Sequence, residues 1–321
     1  MRNARARQVT ARRAACALTI LALAQWAATA RCAPLSDIPG AFVDVGTGAG
    51  AVGMAGAVIA GGAGADAVFW NPATIGSRTQ RPEFAASYCD HMGLVPYAAV
   101  SASVPLSPAL AVGGGVLYSG DDALSEMTVV AGVGRAVGAP PWCGTRPARV
   151  GAALKGRRAS YGNNASVEGQ VTGDALGGGV DLGALVPVTP ELTLGVVCRD
   201  LANTLRWNSS ARGSYSEGVP PALLIGLAAE PRSGFSIEVD LDKALRADTA
   251  DVVSAGAALW LGNVAVLRCG YRRSLPPDRF DEYAVGCGAA VPAGHGRISM
   301  DVAYLFGRLE DTLRLTLGFS P

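Results

Sequence analysis

The sequence predicts an all-β protein: a transmembrane antiparallel β-barrel of about 14 strands with an N-terminal Gly/Ala-rich plug segment. Three observations carry this prediction. From residue 81 onward, successive runs of about ten residues alternate between apolar and small or polar side chains, the period of a strand with two unlike faces. The links between the runs alternate in length. The chain also opens with a leader for export.

The leader comes first. "MRNARARQVTARR" holds arginines and no acid, "AACALTILALAQWAATA" is apolar, and Ala28-Thr29-Ala30 supplies the small-x-small pattern read by signal peptidase. Residues 1–30 are therefore expected to be a cleaved signal peptide. Cys32 is not expected to be a lipoprotein start, because Arg31 stands where a small residue is required. The rest of the composition fits an exported wall. The 27 basic and 26 acidic residues nearly balance, so no nucleic-acid partner is implied. Charged residues make up 17% and glycines number 42, yet no chain of membrane helices is present. The cysteines beyond the leader (Cys32, Cys89, Cys143, Cys198, Cys269, Cys287) have no CxxC or zinc spacing, and the last three sit in alternating apolar runs as small hydrophobes. Neither a metal nor another cofactor is expected. His91, read as a loop residue, and His295, in a short turn, form no catalytic set, and no enzyme is expected.

The second element is "VGTGAGAVGMAGAVIAGGAGA" (45–65), followed by "DAVFWNPATIGS". As a membrane helix it is weak, being mostly Gly and Ala. Gly48-Ala-Gly50-Ala-Val-Gly53 matches GxGxxG, but Ala73-Thr74 stands where a dinucleotide fold needs an acid, and the alternating strands and helices are missing. The remaining reading is a plug, residues 31–80, whose small side chains pack closely inside the barrel. Phe69 and Trp70 would anchor its end, Asn71 would bond to backbone, and Pro72 would fix the turn toward the first strand.

The barrel, residues 81–321, follows. Candidate strands lie near 83–90, 96–106, 109–119, 125–137, 148–158, 173–186, 191–200, 221–230, 234–243, 251–261, 264–273, 281–291, 297–306 and 311–319. In the last, Leu313, Leu315, Leu317 and Phe319 share one face and Arg314 lies on the other. Links such as "LSP" and "EPRSG" are short, and those between them, such as "SGDDALSE" and "DLANTLRWNSSARGSYSEGVPP", are longer, with "GAPPWCGTRPA" as the exception. Outer-membrane barrels have tight turns at one end and longer loops at the other. A soluble barrel or sandwich would alternate too, but has no reason to sort its links this way.

Charges fall on the less apolar face, where a lumen can hydrate them; facing lipid, a Lys or Arg would cost about 2–4 kcal/mol at the midplane. The lumen-facing candidates are Arg199, Glu238, Asp240, Asp242, Arg268, Arg272, Asp301 and Arg314. Glu238, Asp240 and Asp242 share a strand face, so an ion-pair ladder to Arg268, Arg272 or Arg199 is expected to offset their repulsion.

The plug stretch resembles the amino-terminal pattern of FadL-type outer-membrane proteins and the related PorV/PorQ group. The matching residues are Gly53-Met54-Ala55-Gly56-Ala57, Asp66 and Trp70-Asn71-Pro72-Ala73. "ALGGGVDLGALVPVTPELTLGVVCRDL" (175–201) resembles the middle of that group. The resemblance implies a plugged barrel in the bacterial outer membrane, surrounded by its lipid and inserted by the barrel-assembly machinery through the C-terminal strand. It further implies a channel for small hydrophobic or amphipathic molecules such as long-chain fatty acids. The alternative it implies is a PorV-type platform that binds exported proteins or secretion components and transports nothing.

Overall fold

The computed structural model describes residues 46–77, 81–91, 95–121, 123–162, 171–245, 250–275, 280–307 and 311–321. The expected signal peptide and the first part of the expected plug lie outside them.

Among the described residues fifteen strands follow the plug: β1 (Glu83–His91), β2 (Val95–Ser107), β3 (Leu110–Gly120), β4 (Leu124–Gly138), β5 (Ala148–Tyr161), β6 (Gly173–Pro187), β7 (Leu192–Ser209), β8 (Gly213–Glu217), β9 (Ala222–Arg232), β10 (Phe235–Ala244), β11 (Val252–Leu261), β12 (Ala265–Ser274), β13 (Asp281–Ala293), β14 (Gly296–Phe306) and β15 (Thr312–Ser320). Neighbours pair antiparallel. The pairings β1–β15 and β6–β7 complete the ring, so fourteen strands close a barrel and every wall edge is satisfied, as a lipid environment demands. The fifteenth, β8, pairs only with the outer part of β7, from Leu205 to Ser209.

The alternation read from the sequence is the barrel's inside and outside. On β15, Leu313, Leu315, Leu317 and Phe319 are exposed on the outer surface, whereas Thr312, Arg314 and Thr316 are buried within. Val100, Leu154, Leu176, Val239 and Leu267 continue the outward apolar band on other strands.

Three local expectations need correction. The sequence places a long loop after residue 200, but β7 continues to Ser209 and β8 pairs back on it. The cause is a phase change. The β6–β7 register shifts between Gly178 and Val180 and again between Val180 and Leu182, and Asp200 and Ala202 take positive φ. Arg199 and Asp200 are consequently both buried, which breaks a period-two reading where the strand bulges. Next, β3 and β4 run deep into "SGDDALSE", leaving 121–123 as the connection, as short as many turns at the other end. Finally, His91 ends β1 rather than lying in a loop.

Residues 46–77 fold inside the barrel. They form α1 (Ala49–Val52), a 3₁₀ turn at Gly64–Asp66, α2 (Ala67–Trp70) and a second 3₁₀ turn at Pro72–Thr74. Helices of four residues have no stability of their own. The wall supplies it, through a feature absent from the sequence reading: inward glycines on the strands. A Cβ at Gly151 would collide with the Pro72 and Ala73 backbone, one at Gly183 with Asn71, and one at Gly256 or Gly270 with the Met54 backbone. Close approach therefore needs small residues on both partners.

Candidate functional site: the interface between plug and wall

Asn71 organises the plug. Its extended backbone separates α2 from the second 3₁₀ turn, and its Oδ1 accepts the Ala73 N–H at 2.9 Å, capping that turn. Its Nδ2 donates to the Ile59 carbonyl at 2.7 Å, tying together two stretches of plug. The residue is fully buried, so both bonds form away from water. Pro72 starts the turn, where its missing N–H costs nothing. Trp70 Nε1 donates to the Thr47 carbonyl at 3.1 Å, and Phe69 packs against an apolar cluster of Val68, Ile75, Ala111 and Val130. Asp66 is buried and accepts the Ser101 hydroxyl from β2 at 2.8 Å. Burial pushes its carboxyl up to about 6; the Ser101 bond and Arg314 pull it down, and Asp301 pushes it up further.

The acidic residues of β10 face inward and meet plug backbone. Asp240 Oδ2 accepts the N–H groups of Val58 at 2.9 Å and Ile59 at 3.1 Å. Glu238 Oε1 accepts from Ala60 at 2.5 Å and its Oε2 from Gly61 at 2.9 Å. Two of the arginines expected to pair with them reach carboxylates elsewhere. Arg268 lies 2.5 Å from Asp301, and Arg272 lies 4.0 Å from Glu282. Arg314 donates to the Gly46 carbonyl, and its neighbour Thr316 takes the Ala49 N–H at 2.8 Å. Arg199 and Asp242 line the cavity on the outer side of the plug.

Other inward-facing wall groups were not singled out as site residues from the sequence. Arg149 donates to the carbonyls of Ala73 at 3.1 Å and Ile75 at 2.8 Å. Lys155 reaches Asp181 at 2.8 Å and Asp200 at 3.2 Å, and Arg157 reaches Asp200 at 2.6 Å, beside the bulge in β7. Period two puts Arg149 inside along with Lys155 and Arg157. The inward turn of Asp200 follows from the bulge and leaves no sequence signal.

Two cavities flank the plug. At the end with longer connections, a space of about 60 Å³ is lined by Ile59, Trp70 and Leu224 together with Arg199, Asp242 and Arg272. At the short-turn end lies a vestibule of about 490 Å³, whose lining includes Glu83, Glu230, Glu238, Trp260, Arg268 and Arg297. Such an arrangement can hold a molecule with apolar and polar parts on either side of a folded barrier.

No protein-family model and no curated protein matches the chain. Solved structures do. The monoaromatic hydrocarbon channel CymD superposes with a TM-score of 0.60 at 17% identity, over 87% of this chain and 98% of that one. The toluene transporter TodX of P. putida gives 0.60 at 15% identity, over 86% and 98%. A FadL homologue of Pseudomonas aeruginosa gives 0.58 at 12% identity, over 85% and 98%. At these identities the likeness is one of architecture: the chain has the fourteen-strand barrel fold of FadL-type channels.

Proposed function

We propose that this protein is a bacterial outer-membrane channel for small hydrophobic or amphipathic molecules, long-chain fatty acids and monoaromatic compounds among them. The observation that carries the reading is the pair of cavities on opposite faces of the plug, the outer one mixing Ile59, Trp70 and Leu224 with charged side chains. The hydrocarbon and toluene channels of like fold support the substrate class. In this reading residues 1–30 direct export and are removed, 31–80 form the plug, and 81–321 form the barrel. The β15 strand, with Phe319 next to its last residue, is the segment presented to the assembly machinery.

The test is uptake into vesicles whose outer leaflet is lipopolysaccharide, which by itself slows hydrophobic entry. Reconstituted barrel should speed the entry of a fluorescent fatty acid or of toluene over empty vesicles. Equal rates for both probes would overturn the channel reading and leave a binding platform.

A further inference from the structure

The outer cavity and the vestibule approach each other at Ala51–Val52, at Met54–Ala55 and where plug residues 58–61 meet β10; the last is where side chains of the wall latch the plug backbone. Ile59 and Asp240 line the first; Val58, Gly61 and Glu238 line the second. Between them lies the line where plug residues 58–61 meet β10. Four consecutive backbone N–H groups point at this strand, and two carboxylates two residues apart accept all four. From behind, Asn71 holds the Ile59 carbonyl and so fixes the way the row is presented.

We propose that passage between the cavities runs along this seam, and that Glu238 and Asp240 are the gate residues that hold it shut. The proposal rests on the channel reading and adds a route and a lock to it. Hydrogen bonds suit a seam that must part and reform, because water can replace each partner as it separates. A sheet of close-packed carbon could not be replaced in this way. The gate residues act through the plug backbone, so they position the barrier and need not touch a passing molecule when it is closed.

The geometry gives the two carboxylates different tolerances. Both amides at Asp240 use the same oxygen, Oδ2. An asparagine there can present its one carbonyl oxygen to both. The two amides at Glu238 use different oxygens, Oε1 and Oε2. A glutamine there can serve only one, since its NH₂ accepts nothing. The four variants are therefore ordered: Asp240→Asn stays shut, Glu238→Gln is intermediate, and Asp240→Ala and Glu238→Ala are open.

The experiment is potassium chloride conductance in planar bilayers, combined with hydrogen exchange of the peptide covering 58–61, on barrels shown to be folded by heat-modifiable migration. Each alanine variant should raise the open fraction by about thirtyfold or more, as expected for two buried donors left without acceptors, and should speed exchange in that peptide. Asp240→Asn should match the unsubstituted protein in both. Conductance needs no hydrophobic substrate, so a barrel that carries no hydrophobe still reports on the seam. Alanine variants with unchanged conductance and exchange would overturn the proposal. So would an Asp240→Asn variant as open as Asp240→Ala, because charge and not the amide contacts would then hold the barrier. If the alanine variants do not fold, the comparison of Asp240→Asn with Glu238→Gln decides by itself, and equal behaviour of that pair would overturn the assignment.

Discussion

The two parts of the plug meet opposite halves of the barrel by different means. Residues 67–77 lie against β2–β6. There Val68, Ile75, Ala111, Val130 and Ala153 form a fully buried apolar cluster, Ile75 presses on Gly113 and Gly132, and Pro72 lies on Gly151. Residues 49–61 lie against β9–β15. There the plug touches wall glycines at Gly256, Gly270 and Gly286 and packs Met54 and Val58 on Ala258 and Val266, and Ile59 on Leu224; carboxylates and a threonine latch its backbone in addition, and both cavities adjoin it. Close packing fixes one side, since every lost contact costs dispersion and burial with nothing to replace it. The other side is packed as well, but it adds polar latches that can exchange their partners for water. A barrier attached in this way can yield on one side while staying seated on the other.

The sharpest challenge to this contrast is Gly151→Val. The new side chain has no space beside the Pro72 backbone, so the variant should lose about 3 kcal/mol and either fail to migrate as a folded barrel or expose Phe69 and Trp70 to chymotrypsin. A folded, protease-resistant variant would show that the packed side is as yielding as the other.

Asn71→Ala comes next. It removes the link between the halves, losing the bonds to Ile59 and Ala73 at about 1–3 kcal/mol for each group left unsatisfied. Conductance should rise while heat-modifiable migration is kept. Gly270→Ala should act more weakly, costing about 1–2 kcal/mol. Its Cβ meets the Met54 backbone on the yielding side, so the plug should shift and leak without unfolding. Gly151→Ala, of the same chemistry, should instead lower the thermal midpoint of the barrel. Equal effects of the two alanines would erase the difference between the sides.

The smallest effect concerns pH. The buried Asp66 carboxyl titrates near 6 against an ordinary 3.8, so the docked plug binds that proton more tightly than a free chain does. The resulting stabilisation is complete below about 3.8 and is lost as pH rises through about 6. Ser101, Arg314 and Asp301 act on this group from β2, β15 and β14, and Glu83 of β1 lies next to Gly64. Conductance should fall modestly from pH 7 to pH 5. In Asp66→Asn it should sit near the acid level, with that part of the pH dependence gone. A variant with the full wild-type pH profile would assign the effect to another group.

The sequence carried most of the wall. Period two is enforced wherever lipid lies on one side and a plug or water on the other, so Leu313, Leu315 and Leu317 could be placed by spacing alone. It failed at Asp200, where a bulge reset the phase, and β8 was hidden behind that failure. At the interface, the Asn-Pro after two aromatics marked Asn71 and Pro72. The partners of Glu238 and Asp240 were out of reach, because backbone N–H groups exist at every residue but proline and leave no trace in composition. The wall glycines were visible as letters, yet only the register shows which of them face inward.

The separation of these partners along the chain sets an order of events. Ala49 bonds to a residue 267 positions later, and Val58 to one 182 positions later. The plug is made before any strand, yet its latches lie far down the chain on β10 and, last of all, on β15. Contacts this distant form slowly, and the closing of such long loops must precede any gain from them. A barrel stalled before β15 would lack Thr316 and Arg314 and would leave Gly46 and Ala49 without their latches. Fastening of the start of the plug, at Gly46 and Ala49, thus doubles as a record that the wall is complete.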